Sequence, residues 1–283
     1  MIAGDYAFDP WADYAFETEW DMDTKYYYIR DNRTGTRTQI GMGTMTDLSS
    51  LPVMQRLERL WICVEPISSV AGAEQQPNLR VFELQDCFEI RDISLLFDME
   101  ELNQIALINT GIRSIEGIQK LKKLTWLTIQ NCEITDISPI GEIDYTFCEQ
   151  PNEWGEIPHF HLEIERMTDV LPKEAYDVLS AVPYYDYLDI DGTDYHLWID
   201  LVKDIPIRTM QICDCGWDNN GFRTFIEQHP EIEQIDVCWD RGLTDLTPLL
   251  SLNHLQYVRI SEEMQPAAKS LGGNYDFLLF IGY

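Results

Sequence analysis

Apolar residues recur along the first half of the chain in a frame of about 22 residues. In its clearest copy, residues 124–140, the apolar positions follow the order L-x-x-L-x-I-x-x-C-x-I-x-x-I-x-x-I. Similar copies precede it, and the strand pairs that open the copies begin at residues 38, 60, 82, 105 and 127. The spacings between these starts are 22, 22, 23 and 22 residues, which is typical of a repeat protein.

Each copy predicts the same local structure. Two apolar residues one apart predict a short strand whose side chains alternate between two faces. Apolar residues at every third position after the strand predict extended or 3₁₀ chain on the far side of the coil. One such coil cannot bury its own apolar face, so we expect stacked coils with a continuous core and a parallel sheet.

Small residues occupy the turn that follows the strand in several copies. This position holds Cys87, Thr110 and Cys132 in three successive copies. A thiol or hydroxyl at this point can satisfy backbone groups of its own coil and of the neighbouring coil. We therefore expect hydrogen bonds from these side chains to the turn backbone.

Two segments carry a family resemblance. The sequences LKKLTWLTIQNCEITDISPI at 121–140 and LTDLTPLLSLNHL at 243–255 resemble the leucine-rich-repeat family, in particular its bacterial, internalin-like class with 22-residue repeats. The family favours Asn at the turn position, where this chain has Gly43, Glu65, Cys87, Thr110 and Cys132. The resemblance implies an α/β fold in which a leucine-rich-repeat solenoid carries a parallel β-sheet on its concave face.

The second half repeats with less regular spacing. The frame is lost for about 17 residues after Ile143, and the polar, turn-rich segment 149–158 predicts an inserted loop. Strand pairs then return at residues 160, 188, 210, 235, 258 and 278. The longer copies leave room for convex helices, which the patterns at 172–182 and 222–229 predict. One solenoid with a seam and two abutting repeat domains both fit this pattern.

The predicted organisation has four parts. Residues 1–37 lie outside the frame, and a strand-like segment at 25–30 followed by a turn at 32–35 predicts a β-hairpin cap. Regular repeats of 22–23 residues follow at 38–143, with convex turns that are 3₁₀ or extended. An inserted loop or seam occupies 144–158, and irregular repeats with a C-terminal cap occupy 159–283.

Charge and composition restrict the possible partners. The 283 residues include 20 Lys or Arg and 49 Asp or Glu, which gives a net charge of −29. A chain this acidic is a poor candidate for binding nucleic acid or an anionic membrane surface. Its sequence also lacks the run of about 20 apolar residues that a membrane-spanning helix requires. We therefore expect a protein partner with a basic contact surface, and the oligomeric state stays open.

Cysteine content and the first residues bear on the cellular location. Seven cysteines, an odd number, argue against a closed disulfide framework and predict buried or half-buried thiols. The first residues, MIAGDY, carry neither the basic region nor the apolar stretch of a signal peptide. Both features favour a cytoplasmic location, and a secreted location is the alternative if a leader has been removed.

The candidate binding surface follows from strand alternation. Residues that alternate with the core positions point outward, onto the concave face of such a solenoid. Trp61 and Trp126 are expected at equivalent outward positions three repeats apart, and tryptophan is enriched among the residues that dominate binding interfaces. The candidate binding residues are Trp61, Glu83, Gln85, Gln104, Trp126, Thr128, Gln130, His161, Tyr187, Asp189, Asp191, Asp236, Trp239 and Tyr257.

Two segments resemble metal-binding patterns without meeting their requirements. His159, His161, Glu163 and Glu165 alternate along one strand, where alternate residues lie about 6.5–7 Å apart, too wide for easy joint coordination. The segment 189–194 resembles a calcium loop, yet it lacks the Gly and the final Glu that the EF-hand frame requires. We therefore predict neither a metal nor a cofactor.

Enzyme signatures are absent from the sequence. The patterns G-x-S-x-G, H-E-x-x-H and G-x-x-x-x-G-K-S/T do not occur. We expect a non-catalytic protein-interaction module that binds on its concave face, with salt-sensitive association steered by residues such as Asp189 and Asp191. A secreted or surface adhesion protein that binds carbohydrate is the alternative. A hydrolase site around His159, His161 and Asp189 ranks last.

Overall fold

The computed structural model describes residues 2–3, 14–63, 67–149, 151, 158–167, 170–273 and 275–282. Its strands are β1 (Ile2–Ala3), β2 (Tyr14–Asp21), β3 (Thr24–Asp31), β4 (Arg37–Met42), β5 (Arg59–Cys63), β6 (Val81–Gln85), β7 (Gln104–Ile108), β8 (Trp126–Gln130), β9 (Phe160–Glu165), β10 (Tyr185–Asp189), β11 (Ile207–Gln211), β12 (Gln234–Val237), β13 (Tyr257–Ile260) and β14 (Leu278–Ile281). The α-helices are α1 (Ser138–Gly141), α2 (Ile199–Val202), α3 (Asn219–Gln228) and α4 (Gln265–Ala268). The 3₁₀ segments are Ala73–Gln75, Ser94–Asp98, Ile118–Lys120, Tyr145–Glu149, Lys173–Ala181, Tyr195–Leu197, Thr247–Ser251, Glu262–Met264 and Lys269–Leu271.

The chain divides into two compact units, Met1–Thr135 and Asp136–Tyr283, and each is described by itself. Glu65 and most of the predicted loop at 149–158 lie outside the described residues.

The first unit begins with a three-stranded antiparallel sheet in the order β2-β3-β4. The turn between β3 and β4 is tight because the Asp31 carboxylate accepts the N–H groups of Arg33 and Thr34, at 2.9 and 3.1 Å. β4 therefore returns antiparallel to β3, with Thr38 opposite Ile29. The repeat frame assigned the chain from residue 38 to the first repeat, whereas the structure makes this segment the third strand of the antiparallel sheet.

The repeats of the first unit form a parallel sheet in the order β1-β5-β6-β7-β8. Leu60, Phe82, Ile105 and Leu127 lie side by side across it, and all four are buried. The 3₁₀ segments of successive coils also pack on one another. This arrangement confirms the predicted parallel sheet with 3₁₀ turns.

The small turn residues link neighbouring coils. The Cys87 thiol donates to the carbonyl of Gln85 in its own coil, at 3.4 Å, and to that of Ile62 in the preceding coil, at 3.7 Å. Cys132 repeats this arrangement two coils later, and its Sγ lies 3.2 Å from Thr110 Oγ1. The expected hydrogen bonds to the backbone are therefore present at Cys87 and Cys132, whereas the Thr110 hydroxyl contacts the Cys132 thiol.

The residue before each of these turn positions has a left-handed backbone. Asp86, Asn109 and Asn131 have φ of 56°, 52° and 48°, a conformation that Asp and Asn tolerate better than other non-glycine residues. The Nδ2 groups of Asn131 and Asn109 donate to the side-chain oxygens of Asn109 and Asp86, at 2.9 Å each. Equivalent residues follow the strands of the second unit, and we call the whole set the left-handed series: Asp86, Asn109, Asn131, Arg166, Gly192, Asp214 and Trp239.

The second unit contains a parallel sheet that runs from β9 to β14 in chain order. Leu162, Leu188, Met210, Ile235 and Val258 lie side by side and are buried. The repeat frame therefore holds in both units, although the connections between strands differ in length.

The register of β9 against β10 differs from the prediction by two residues. Leu162, rather than Phe160, lies opposite Leu188, and Phe160 lies opposite Tyr185. The register shifts between Tyr185 and Tyr187, so β10 has one irregular position. Side chains two apart share a strand face, and both Phe160 and Leu162 are buried, so the sequence pattern could not separate the two registers.

The longer coils carry the predicted helices. The segment 172–182 forms the 3₁₀ run Lys173–Ala181, and the segment 222–229 lies largely in α3. Asp218 caps α3, because its carboxylate accepts the N–H groups of Asn220 and Gly221 at 2.9 and 2.7 Å. Neither α3 nor any other helix in the described ranges is long and apolar enough to cross a membrane.

The cysteines occupy the interior or its margin. Five of the seven are buried, and Cys63 and Cys148 are half-buried. This confirms the prediction of buried or half-buried thiols.

Candidate functional site

The outward side chains of the second sheet form a candidate surface, which we call the acidic strand face. Strand pairing places them in two rows, His161–Tyr187–Thr209–Gln234–Tyr257 and Glu163–Asp189–Gln211–Asp236–Arg259. Strand alternation puts both rows on the side opposite the core residues Leu162, Leu188 and Met210.

Aromatic and acidic side chains are already ordered at the start of this face. The rings of His161 and Tyr187 stack with centroids 4.2 Å apart and planes 5° from parallel. His161 Nε2 lies 2.8 Å from Glu163 Oε1, and the Tyr187 hydroxyl donates to Gln211 Oε1 at 3.1 Å. Burial raises the pKa of Tyr187, so its hydroxyl stays a donor at physiological pH. These contacts fix the direction of each side chain before any ligand arrives.

The far end of the face contains an ion pair. The Arg259 guanidinium pairs with the Asp236 carboxylate, and its Nη2 lies 3.5 Å from Gln211 Oε1. Burial raises the pKa of Asp236, and the neighbouring Arg259 opposes that shift. Gln211 thus connects the stacked pair with the ion pair.

Asp189 is buried rather than exposed, which corrects its expected place among the outward charges. Only 1% of its surface is exposed, and its Oδ1 accepts the Asp191 N–H at 3.0 Å. Burial raises the pKa of Asp189 to about 10, and burial also raises the pKa values of Glu165 and Asp191. Asp189 therefore carries a proton at neutral pH and adds no charge to the face.

Asp191 is held from the adjacent strand. Its carboxylate accepts the Cys213 N–H at 2.6 Å and the Gln211 side-chain N–H at 2.8 Å. These two donors favour its ionised form. No group of three His, Cys, Asp or Glu residues in the described ranges, including 158–167 and 189–194, is placed to hold a metal ion.

The outward face of the first unit has a different character. Trp126 is 37% exposed and lies in the row of Arg59, whereas Trp61 lies in the row of Thr128. The two tryptophans are therefore offset by two residues in the strand register, whereas they were expected at equivalent positions. The Trp126 indole donates to Thr128 Oγ1 at 3.0 Å, and Thr128 is buried. Arg59 pairs with Glu83 at 2.8 Å.

The candidate binding residues thus fall into three groups by exposure. Trp126 and Trp239 are exposed, and Thr128 and Asp189 are buried. The half-buried residues are Trp61, Glu83, Gln85, Gln104, Gln130, His161, Tyr187, Asp191, Asp236 and Tyr257.

A cavity that the sequence analysis missed lies between the turns that follow β11 and β12. Its volume is about 540 Å³, and it is lined by Asp214, Gly216, Trp239, Asp240, Arg241 and Gly242. Of these residues, only Trp239 was a candidate. The left-handed series contained a signal for it, because Trp239 stands where the other coils have Asp, Asn, Gly or Arg.

Comparisons with known proteins give similarities at the level of structure. No protein-family model and no curated protein sequence matches the chain. Among solved structures, an internalin from Listeria monocytogenes is 18% identical, with 81% of this chain and 68% of that chain covered and a TM-score of 0.43. Internalin C2 of the same species is 16% identical, with 79% and 80% covered and a TM-score of 0.38. A leucine-rich-repeat protein from Leptospira interrogans is 14% identical, with 80% and 55% covered and a TM-score of 0.43.

The coils of this chain themselves establish its fold. Successive strands pair in parallel at about 22-residue intervals, 3₁₀ segments follow them, and small polar or thiol side chains tie the turns together. Stacking of such units around one apolar core is the defining feature of a solenoid. Each unit is therefore a solenoid of the leucine-rich-repeat type.

Proposed function

We propose that the chain is a non-catalytic protein-binding module whose acidic strand face contacts a basic surface of a protein partner. The observation that carries this proposal is the ordered row of polar and aromatic groups on that face. His161, Glu163, Tyr187, Gln211 and Asp236 are held by one another and by Arg259. Side chains fixed in advance lose little rotational freedom on binding, so more of the contact energy appears as affinity.

Charge supports a basic partner. The second unit has 28 Asp or Glu against 8 Lys or Arg, whereas the first has 21 against 12. Charges of one sign on a surface raise the rate at which an oppositely charged partner arrives. Because Asp189 is neutral at pH 7, this attraction comes from exposed and half-buried carboxylates such as those of Glu163 and Asp236.

The test compares matched charge variants from the two units. The partner is first captured by affinity purification with in-cell cross-linking, and its association and dissociation rates are then measured at several salt concentrations. We expect Glu163→Gln/Asp236→Asn to weaken binding about tenfold or more, mainly through a slower and less salt-dependent association. Glu83→Gln in the first unit and Asp189→Asn should leave the association rate unchanged.

Two outcomes contradict the proposal. Equal binding by the double variant and the wild-type protein removes the acidic strand face from the interaction. Binding to a glycan array in the absence of any captured protein favours the carbohydrate-binding alternative.

A further inference from the structure

Trp239 is the exception in the left-handed series. Its φ is 61°, a conformation in which a bulky side chain is a genuine outlier. Asn109 and Asn131 occupy equivalent positions with side chains that suit this backbone. Backbone strain of this kind persists where the surroundings enforce it, and it concentrates at functional sites.

The surroundings of Trp239 do enforce its conformation. Its N–H donates to Ser261 Oγ of the next coil at 3.0 Å, which fixes the backbone. The side chain is nevertheless 41% exposed, so the core does not account for its size. Packing therefore explains the backbone at residue 239, and part of the Trp239 side chain faces solvent.

The cavity beside Trp239 is built by two neighbouring turns. The Asp214 N–H donates to the Cys238 carbonyl at 2.8 Å, and the Trp217 N–H donates to Asp240 Oδ1 at 3.0 Å. Gly242 is required at the junction, because a Cβ there would lie 2.7 Å from the Trp217 carbonyl oxygen. The two turns are thus locked together, and the cavity of about 540 Å³ is a fixed feature of the second unit.

The lining of the cavity is acidic and contains an unsatisfied acceptor. Asp214 is exposed, whereas Asp240 is only 2% exposed. Asp240 Oδ2 has no hydrogen-bond partner among the described residues, and a buried acceptor of this kind is costly to leave unpaired. The lining contains two carboxyl groups and one guanidinium, that of Arg241, so it favours a ligand that carries positive charge.

We propose that this cavity receives the guanidinium group of an arginine on the partner protein. The inference rests on the proposed function and adds a specific anchor to it. A guanidinium is planar and weakly hydrated, so it can stack on the Trp239 ring while its N–H groups donate to the Asp214 carboxylate. A lysine ammonium would pair with the carboxylate and would lack the planar stacking surface.

The test uses the full chain, labelled with ¹⁵N at the tryptophan indoles, and N-acetyl-arginine amide as the probe. We expect one indole NMR signal, the one missing in Trp239→Asn, to shift progressively as the probe is added at millimolar concentrations. Asp214→Asn should weaken this binding about threefold to fivefold, because it removes the charge and keeps a side chain that tolerates the left-handed backbone. N-acetyl-glutamine amide should cause a much smaller shift.

Two variants separate binding from folding. Trp239→Asn should be at least as stable to heat as the wild-type protein, because it places the residue of Asn109 and Asn131 at position 239. Trp126→Asn removes a comparably exposed tryptophan of the first unit and should keep the probe-induced shift. Because the Trp239 indole signal is absent from Trp239→Asn, probe binding to this variant is measured by isothermal titration calorimetry, and loss of binding identifies the site.

Three outcomes overturn the inference. They are an indole signal that does not respond to the arginine probe, an affinity unchanged by Asp214→Asn, and a response to methyl glucoside alone, which would make the cavity a sugar site. Failure here while Glu163→Gln/Asp236→Asn still impairs partner binding leaves the proposed function intact. Probe binding by a chain for which affinity purification and cross-linking capture no protein partner would instead contradict the proposed function.

Discussion

The two units share one coil design and differ in what they build around it. Both align strands in parallel and place a left-handed residue after most of them. In the first unit the 3₁₀ segments between strands are three to five residues long, whereas the second has the nine-residue Lys173–Ala181 and the ten-residue α3. The second unit also has fewer basic and more acidic residues. The shared repeat frame determines the core. The two units differ at the positions that this frame does not constrain.

The left-handed series shows this division at one position. In the first unit Asp86, Asn109 and Asn131 form a side-chain ladder that serves the fold. In the second unit the same position holds residues as different as Gly192 and Trp239. The same chain thus contains a regular arrangement of Asp and Asn at this position. Residues that depart from it mark the places where a role other than stability determines the side chain.

The largest expected effect concerns the helix that distinguishes the second unit. Phe225 in α3 is fully buried, and its ring packs 5.4 Å from Trp217, 5.9 Å from Trp198 and 4.3 Å from His229. Phe225→Ala should lower the free energy of unfolding by about 3–5 kcal/mol, as measured by urea denaturation. Phe88→Ala in the first unit, where the side chain is 59% exposed, should change it by less than about 0.5 kcal/mol. A loss in Phe225→Ala as small as that in Phe88→Ala would show that α3 is not part of the core.

A second prediction uses the buried carboxyl group of the second unit. The folded pKa of Asp189, about 10, lies above the ordinary aspartate value of 3.8, so the folded state binds this proton more tightly. The resulting stability is fully present below pH 4 and is lost as the pH rises toward 10. Asp189→Asn keeps a neutral side chain at every pH and should therefore exceed the wild-type stability by about 1–3 kcal/mol at pH 9. Unfolding curves at pH 5, 7 and 9 measure this difference, and a difference that does not grow with pH would contradict the prediction.

The ladder of the first unit gives a smaller effect. Asn131→Ala removes a 2.9 Å hydrogen bond to Asn109 and puts a Cβ-bearing residue without polar atoms at a φ of 48°. We expect a loss of about 1–2 kcal/mol in the free energy of unfolding. The matched variant of the second unit, Trp239→Asn, should show no loss. An equal loss in both would mean that Trp239 is as much a structural residue as Asn131.

The smallest effect is expected for a surface ion pair. Lys123 Nζ lies 2.6 Å from Glu101 Oε1, and the side chains are 54% and 40% exposed. Solvent and salt screen such a pair, so Lys123→Ala should change the free energy of unfolding by no more than about 0.5 kcal/mol. Thermal unfolding at low and high salt checks this, and a loss that persists unchanged at high salt would point to packing by the lysine stem.

Periodicity in the sequence was sufficient for the fold class and for the role of the turn residues. A period of about 22 residues with alternating apolar positions permits few structures other than stacked coils. The hydrogen bonds of Cys87 and Cys132 followed from the need to satisfy turn backbone groups. The third strand of the antiparallel sheet, β4, was misassigned because Thr38 and Ile40 fit the repeat frame as well as they fit a hairpin.

The candidate site was only partly accessible from the sequence. Alternation correctly placed His161, Tyr187 and Asp236 on the outward strand face, because side-chain direction in a strand depends on position alone. It could not show that Asp189 is buried or that Trp126 covers Thr128, since both depend on which neighbours lie above them. The cavity at Trp239 was missed because its lining comes from two turns about 25 residues apart.

By itself, the sequence determined the coil, its period, the residues of the core and the excess of negative charge, all of which are local or additive properties of the chain. Only the tertiary structure decided how rows of side chains from successive coils meet. The contacts between these side chains depend on strand register. A shift in register, such as the two-residue shift at β9, changes the neighbours of every side chain in a row. The protonated Asp189, the stacked His161 and Tyr187, and the cavity between the turns at Asp214 and Trp239 all arise from contacts between coils.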